Sequence, residues 1–146
     1  MEIADRVRAN TAEEINRKID RDIDVRVREY AARSPADITR RVEELDREWD
    51  MERLLETNAS AIALTGLVLG VTHSKKWLIV PGIVLPFLLQ HAVQGWCPPV
   101  PIFRRLGVRT REEIDRERYA LKVLRGDFAN VESTPRAEAA LQAVRI

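Results

Sequence analysis

The sequence predicts an all-α protein: a hairpin of two transmembrane helices with amphipathic cytoplasmic helices on both sides. Between Thr57 and Phe103 the only formally charged side chains are Lys75 and Lys76, whereas both flanks are dense in charge. This uncharged segment has room for two spans of about 18 to 20 residues, the length that crosses a bilayer as a helix. The overall composition, with 32% charged residues and a net charge of +1, conceals this division.

The two predicted spans are Leu54–Val71 and Trp77–Trp96, joined by the short connector Thr72–Lys76. The two tryptophans of the second span would lie about 28 Å apart along a helix, close to the hydrocarbon thickness of about 30 Å. Tryptophan is favoured at both membrane interfaces. Pro81 and Pro86 are expected to kink or loosen the second helix. A soluble helical core is the alternative, but core helices are usually apolar on one stripe and not all round.

The distribution of Lys and Arg predicts the orientation. Residues 1–56 contain twelve of them, the connector contains two, and residues 104–146 contain ten. By the positive-inside rule both termini are expected in the cytoplasm and the connector outside, so the chain is predicted to be a multi-pass membrane protein. The N-terminus, Met1-Glu2-Ile3-Ala4-Asp5-Arg6, lacks the apolar run of a signal peptide, so none is predicted.

The first region, residues 1–50, is predicted to be a charged, helical, cytoplasmic segment. Over roughly residues 11–32, apolar side chains recur at helical spacing. They are Ile15, Ile19, Ile23, Val27 and Tyr30. The stretch Asp22–Arg28 alternates polar and apolar residues, which is typical of a strand, so helix is preferred and strand remains the alternative.

A second helix is predicted to begin at Ser34, with Pro35 at its first position and Asp37 in the first turn. No Pro or Gly follows until Gly66, so this helix is expected to continue into the first span. Along one face of this helix the side chains would first be large and apolar, then acidic at Glu52 and Glu56, and finally small. The interaction candidates on that face are Ile38, Val42, Leu45, Trp49, Ala59, Ala63, Gly66 and Gly70.

This face is predicted to mediate self-association. Its last part, Gly66-Leu67-Val68-Leu69-Gly70, is a G-x-x-x-G pattern, which lets two helix backbones approach closely in lipid. The competing interpretation is that the small residues pack inside one chain, against the second span.

The second and third regions are residues 51–110, the hairpin with its Cys-Pro exit, and residues 111–146, the cytoplasmic C-terminal helices. Cys97-Pro98-Pro99-Val100-Pro101 is expected to be extended or turning, because proline cannot continue a regular helix. Thr110-Arg111-Glu112-Glu113 is a capping box that opens a helix ending at Gly126. A last short helix is predicted over Ser133–Val144.

Two short motifs carry a family resemblance. They are Gly95-Trp96-Cys97-Pro98 at the end of the second span and Leu106-Gly107-Val108-Arg109-Thr110 after it. With the amphipathic entry Met51–Leu55, they resemble the small YgaP-like inner-membrane domain family, over roughly Asp50–Thr110. The resemblance implies a two-helix hairpin in the bacterial inner membrane, and a dimer of hairpins in those members that also carry a rhodanese. Some members carry it beside a rhodanese, a sulfurtransferase domain with a reactive cysteine, which this chain lacks.

Cys97 is the candidate thiol site, and His91 lies six residues before it. On a continuous helix Pro86, Gln90, Gln94 and Cys97 would share one face. One Cys and one His fall short of the four ligands of a structural zinc site, and no general base is spaced to activate the thiol. No catalytic residue, cofactor or metal is therefore predicted, and the near-zero net charge gives no reason to expect nucleic acid as a partner.

The sequence therefore predicts a small, non-enzymatic, membrane-anchored interaction protein. Its expected partners are the lipid bilayer and either further copies of itself or other subunits of a membrane complex. The alternative is an auxiliary in sulfur or thiol handling that uses Cys97. A third and weaker interpretation is peripheral lipid binding by Arg104–Arg125, against which the acidic residues scattered there argue.

Overall fold

The computed structural model describes residues 5–129, and every regular element in that range is helical. In chain order these are α1 (Arg6–Ala9), α2 (Glu13–Tyr30), α3 (Pro35–Arg47), α4 (Met51–Thr72), a 3-10 turn (Lys75–Leu78), α5 (Ile79–Gln94), α6 (Val100–Arg105) and α7 (Arg111–Arg125). The all-α class is confirmed for these residues, and the strand alternative for the α2 region is wrong. The helix predicted over Ser133–Val144 lies outside the described residues.

The helices form two compact units, each assembled from two separate stretches of the sequence. Of the described residues, the first unit contains those up to Ile19 together with Trp49–Glu112, and therefore α1, α4, α5 and α6. The second contains Asp20–Glu48 and residues 113–129, and therefore α3 and most of α2 and α7. Each unit thus depends on contacts between residues that are far apart in sequence.

The structure corrects the prediction of one continuous helix from Pro35 into the first span. α3 ends at Arg47, and Glu48 has the extended backbone angles φ −64° and ψ 135°. Asp50 then caps a new helix, because its side chain accepts a hydrogen bond of 2.8 Å from the N–H of Arg53. The N–H of Met51 donates to the distant carbonyl of Arg109 at 2.9 Å, which supports the break.

In the first unit, α4 packs against the 3-10 turn and α5 through its small residues. Ala63, Gly66 and Gly70 are buried. A Cβ atom added to Gly66 would lie 2.7 Å from Cδ of Pro81, so the glycine is what allows this approach. The packing inside one chain that the sequence left open therefore occurs, while self-association along the same face stays a prediction.

The second unit has an apolar core between α3 and α7. Ile38, Val42 and Leu45 of α3 are buried against Ile114 and Leu121 of α7, with Tyr30 of α2 packed beside them. The predicted start of α3 is confirmed, because the hydroxyl of Ser34 accepts a hydrogen bond of 3.2 Å from the N–H of Asp37. Trp49, the fourth large residue of the predicted seam, is outside this core, and the guanidinium of Arg53 stacks on its ring at 4.6 Å.

A buried carboxylate ties the helices of the second unit together. Glu117 of α7 is fully buried, and its two oxygens lie 3.1 Å from Nε of Arg26 on α2 and 2.9 Å from Nη2 of Arg41 on α3. Two guanidinium groups thus neutralise one carboxylate at the centre of three helices. Sequence reasoning missed this group, because nothing in the local pattern distinguishes Glu117 from the solvated glutamates around it.

The proline-rich segment after α5 is non-helical only as far as Pro99, because α6 begins at Val100. The prediction of a non-helical exit is wrong from that point. Pro101 lies in the first helical turn, where the missing N–H of proline costs no hydrogen bond. α5 itself continues helically past Pro86. The predicted α7 is confirmed, and Gly126 ends it in a left-handed conformation with φ +89°.

Candidate functional site

α4 and α5 expose large apolar side chains that the other described residues do not cover. Val71 is 79% exposed and Leu89 is 66% exposed. The most apolar windows within Pro35–Thr72 and Lys75–Gln94 have a mean hydropathy of 1.5, and only 22% and 6% of them are buried. Two helices of the protein are thus long and apolar enough to cross a membrane.

The polar side chains on α4 are compatible with apolar surroundings. The Nδ2 of Asn58 donates to the carbonyl of Leu54 at 2.8 Å, and the hydroxyl of Thr65 donates to the carbonyl of Ala61 at 2.8 Å. Thr72 makes the same kind of bond one turn back. Because both threonine hydroxyls and one of the two N–H groups of the Asn58 amide donate within their own helix, these bonds would be kept in lipid.

The C-terminal end of α5 is capped by side chains from α1. The Nη1 of Arg6 donates to the carbonyls of Ala92 and Val93, at 2.5 and 3.3 Å. The Nδ2 of Asn10 donates to the carbonyl of Gln94 at 2.9 Å. A helix leaves its last carbonyls without partners and its C-terminus partially negative, so a guanidinium is well suited to this position.

Gly95 makes this cap possible. It adopts φ +75°, the left-handed conformation that side chains disfavour. A Cβ at this position would also lie 2.6 Å from the carbonyl carbon of Arg6, so the α1 backbone could not come as close. The sequence singled out Gly95 as part of a motif, but it gave no sign that residues near position 6 would be the partner.

A cleft of about 920 Å³ opens between α4 and α5 beside this cap, inside the first unit. Apolar side chains from α5 form one wall, and they are Leu85, Leu88 and Leu89. Glu52 and Glu56 on α4 face the cleft from the other side. Its rim is completed by the charged residues Asp5, Arg6, Arg111 and Glu112.

His91, one of the two predicted thiol-site residues, belongs to the wall of this cleft. Its side chain is buried, with 6% of the residue exposed, and Nδ1 has no hydrogen-bond partner within the part of the chain that the structure describes. Cys97 does not line the cleft. The structure therefore does not bring the two predicted residues together at this site.

Cys97 lies in an apolar cluster with Val7, Met51, Leu55 and Val100. Burial raises the pKa of its thiol above the ordinary value. The thiol is therefore protonated at neutral pH, whereas the nucleophile and the metal ligand would be the thiolate.

The helix face predicted to carry Cys97 does not extend that far. α5 ends at Gln94, and Gly95 turns the chain before Cys97 is reached, so Cys97 does not share a helix face with Pro86 and Gln90.

Among residues 5–129 no group of three or more His, Cys, Asp or Glu side chains is arranged to hold a metal ion. No family model, curated protein or solved structure matches the chain. The resemblance to the YgaP-like family therefore stays a prediction.

Proposed function

We propose that this protein is a membrane-anchored interaction protein, held in the bilayer by α4 and α5 as an antiparallel hairpin. The observation that carries the proposal is the uncovered apolar surface of these two helices. It extends from Ile62 to Val71 on α4 and from Ile79 to Val93 on α5, and so includes the ends joined by the 3-10 turn.

The size of that surface favours lipid over water. Eleven large apolar side chains on α4 and α5 are 40% exposed or more, and they are Ile62, Leu64, Leu67, Val68, Val71, Ile79, Ile83, Leu85, Phe87, Leu89 and Val93. Removing the exposed part of each from water is worth roughly 1 kcal/mol. The total of about 10 kcal/mol is comparable to the whole stability of a small domain. A bilayer supplies this burial with no further protein.

The charge distribution supports an orientation with both ends in the cytoplasm. Twelve Lys and Arg residues precede the first span and ten follow the second, against Lys75 and Lys76 in the connection between them. Short loops rich in Lys and Arg stay on the cytoplasmic side.

The second unit is the part proposed to meet partner subunits. Its surface carries ion pairs between helices, such as Arg116 with Asp20 at 3.0 Å and Arg118 with Asp46 at 2.8 Å. These pairs fix α7 against α2 and α3, so the unit offers a partner a defined surface instead of a set of independent helices. The partner is a second copy or another membrane subunit.

Carbonate extraction of membranes tests the anchoring. High pH strips proteins held by surface charge, whereas two spans keep the protein in the pellet. We expect the full chain in the pellet, and a variant with Leu64→Arg and Leu89→Arg shifted toward the supernatant or degraded. The matched control is Arg at Val25 and Val123, two exposed apolar positions outside α4 and α5. Recovery of the unmodified protein in the soluble fraction would overturn the proposal.

A further inference from the structure

We propose that the cleft between α4 and α5 binds the headgroup of a zwitterionic aminophospholipid, with its ammonium group at the α4 carboxylates and an acyl chain along α5. The inference rests on the proposed membrane placement, because it needs the cleft to open toward lipid.

The charge of the cleft favours a cationic group. Four carboxylates line it, against the guanidinium groups of Arg6 and Arg111. Glu52 and Glu56 are one helical turn apart, a spacing at which like charges destabilise a helix by a few tenths of a kcal/mol. An ammonium group between them would turn that repulsion into attraction, and its three N–H donors match carboxylate oxygens.

The apolar wall of the cleft requires the ligand to have an apolar part as well. Leu85 lies ten residues before Gly95, about 15 Å along the helix, so the apolar wall runs from the charged rim into the depth of the span. A small hydrophilic amine would leave this wall uncovered. An amphipathic molecule, charged at one end and hydrocarbon along its length, covers both parts.

The guanidinium groups at the rim match the other charge of a zwitterion. Arg6 uses only Nη1 in its bonds to the α5 carbonyls, and a guanidinium has five N–H donors in all. The remaining donors of Arg6 are suited to a lipid phosphate. This combination of carboxylates and guanidinium distinguishes the site from one for a purely cationic amphiphile.

His91 is a second, independent observation at the same cleft. It is a nearly fully buried polar side chain whose Nδ1 has no partner among residues 5–129, and such groups are rare in folded proteins. A ligand that carries both donors and acceptors would satisfy it. A bare metal ion is a poorer match, because no three metal-binding groups converge among the described residues.

Native mass spectrometry of the full chain in mild detergent tests the assignment. Phosphatidylethanolamine and phosphatidylglycerol are added in turn, and the lipid-bound fraction is measured. We expect a retained one-to-one adduct with phosphatidylethanolamine, reduced about tenfold by the double substitution Glu52→Gln and Glu56→Gln. The matched control is Glu43→Gln with Glu44→Gln, two exposed carboxylates of α3 that do not line the cleft, which should leave the adduct unchanged.

Three results would overturn the assignment: equal retention of phosphatidylglycerol, an unchanged adduct in the Glu52 and Glu56 variant, and binding of free tetradecylammonium with no retention of the lipid. Circular dichroism of each variant checks that its helices are intact. Carbonate extraction of the same variants separates this inference from the anchoring, because loss of the adduct with the protein still in the pellet concerns the cleft alone.

Discussion

At the scale of single residues, three glycines separate two costs of adding a side chain: backbone strain at a positive φ and overlap with neighbouring atoms. Gly95 combines a positive φ with close approach of the Arg6 backbone. Gly107 has a positive φ of +88° but open space around it, and Gly82 has open space and an ordinary helical φ. A side chain would therefore meet both strain and close contact at Gly95, strain alone at Gly107, and neither at Gly82.

Alanine substitution at these glycines should rank accordingly. Gly82→Ala is expected to be neutral or to stabilise by up to about 1 kcal/mol, and Gly107→Ala to cost about 1 kcal/mol. Gly95→Ala should cost at least twice as much, because α1 must also move away from the end of α5. Thermal unfolding of the three variants in the same detergent measures the order. Equal losses at Gly95 and Gly107 would mean that the α1 cap contributes little.

Glu117 is the residue on which the second unit depends most. Removing one member of a buried ion pair leaves the other charge buried without compensation, which costs about 3 to 5 kcal/mol. We therefore expect Glu117→Ala to destabilise that unit by about this amount. The control is Glu44→Ala, which removes a half-exposed partner of the same Arg41 and should cost no more than about 1 kcal/mol. Urea unfolding compares them, and similar losses would contradict a structural role for Glu117.

The buried thiol of Cys97 gives a prediction for pH. Its pKa is raised in the folded chain by burial, so the folded state favours the protonated form. Its contribution to stability is complete below the pKa of the unfolded thiol and is lost as the pH rises beyond that value through the raised pKa of the folded thiol. Maleimide labelling of the folded protein should therefore be slow at pH 7.5, compared with a Ser74→Cys variant in a Cys97→Ser background. Rapid labelling of Cys97 would revive the thiol-handling interpretation.

At the scale of elements, the sequence predicts the helix ends that are determined by residues within a few positions of them. Ser34 and Pro35 define the start of α3, and Gly126 ends α7, because caps act within a few residues. The break before α4 could not be anticipated in this way, since no Pro or Gly marks it. One of its supports is the hydrogen bond from Met51 to Arg109, whose residues are 58 positions apart.

The same distinction applies to the candidate site. The apolar spans and the importance of Gly95 could be read from composition and motif, whereas the capping by Arg6 and the position of His91 in a cleft depend on the fold. The pairing of Glu117 with two arginines likewise requires three helices to meet, and no local pattern encodes that.

The packing of α4 on α5 yields a prediction at this scale. Gly66→Leu should separate the two helices, because even a Cβ at Gly66 meets Pro81 and Val80 within 3 Å. Gly82→Leu, with open space around it, should be tolerated. Melting in detergent measures the loss, and cross-linking reports the oligomeric state. A variant that dissociates an oligomer while the single chain stays intact would show that this face joins two chains.

At the scale of the whole molecule, the two units differ in how far their apolar side chains are covered by protein. The second unit closes its own apolar core, while the first leaves the outer faces of α4 and α5 uncovered. A chain with both is suited to two media, with one part stable in water and the other completed by lipid. The anchoring, the orientation and the lipid site all depend on this difference.

The most direct test of that central claim is to measure what surrounds α4 and α5. Nitroxide labels are placed singly at Leu64 and Leu89 in a Cys97→Ser background, and at Glu43 on α3 as the control, in protein reconstituted into vesicles. Collision with oxygen, which concentrates in lipid, is compared with collision with a water-soluble nickel complex. We expect oxygen to dominate at Leu64 and Leu89 and the nickel complex to dominate at Glu43. Dominance of the nickel complex at all three positions would contradict the claim that α4 and α5 lie in the membrane.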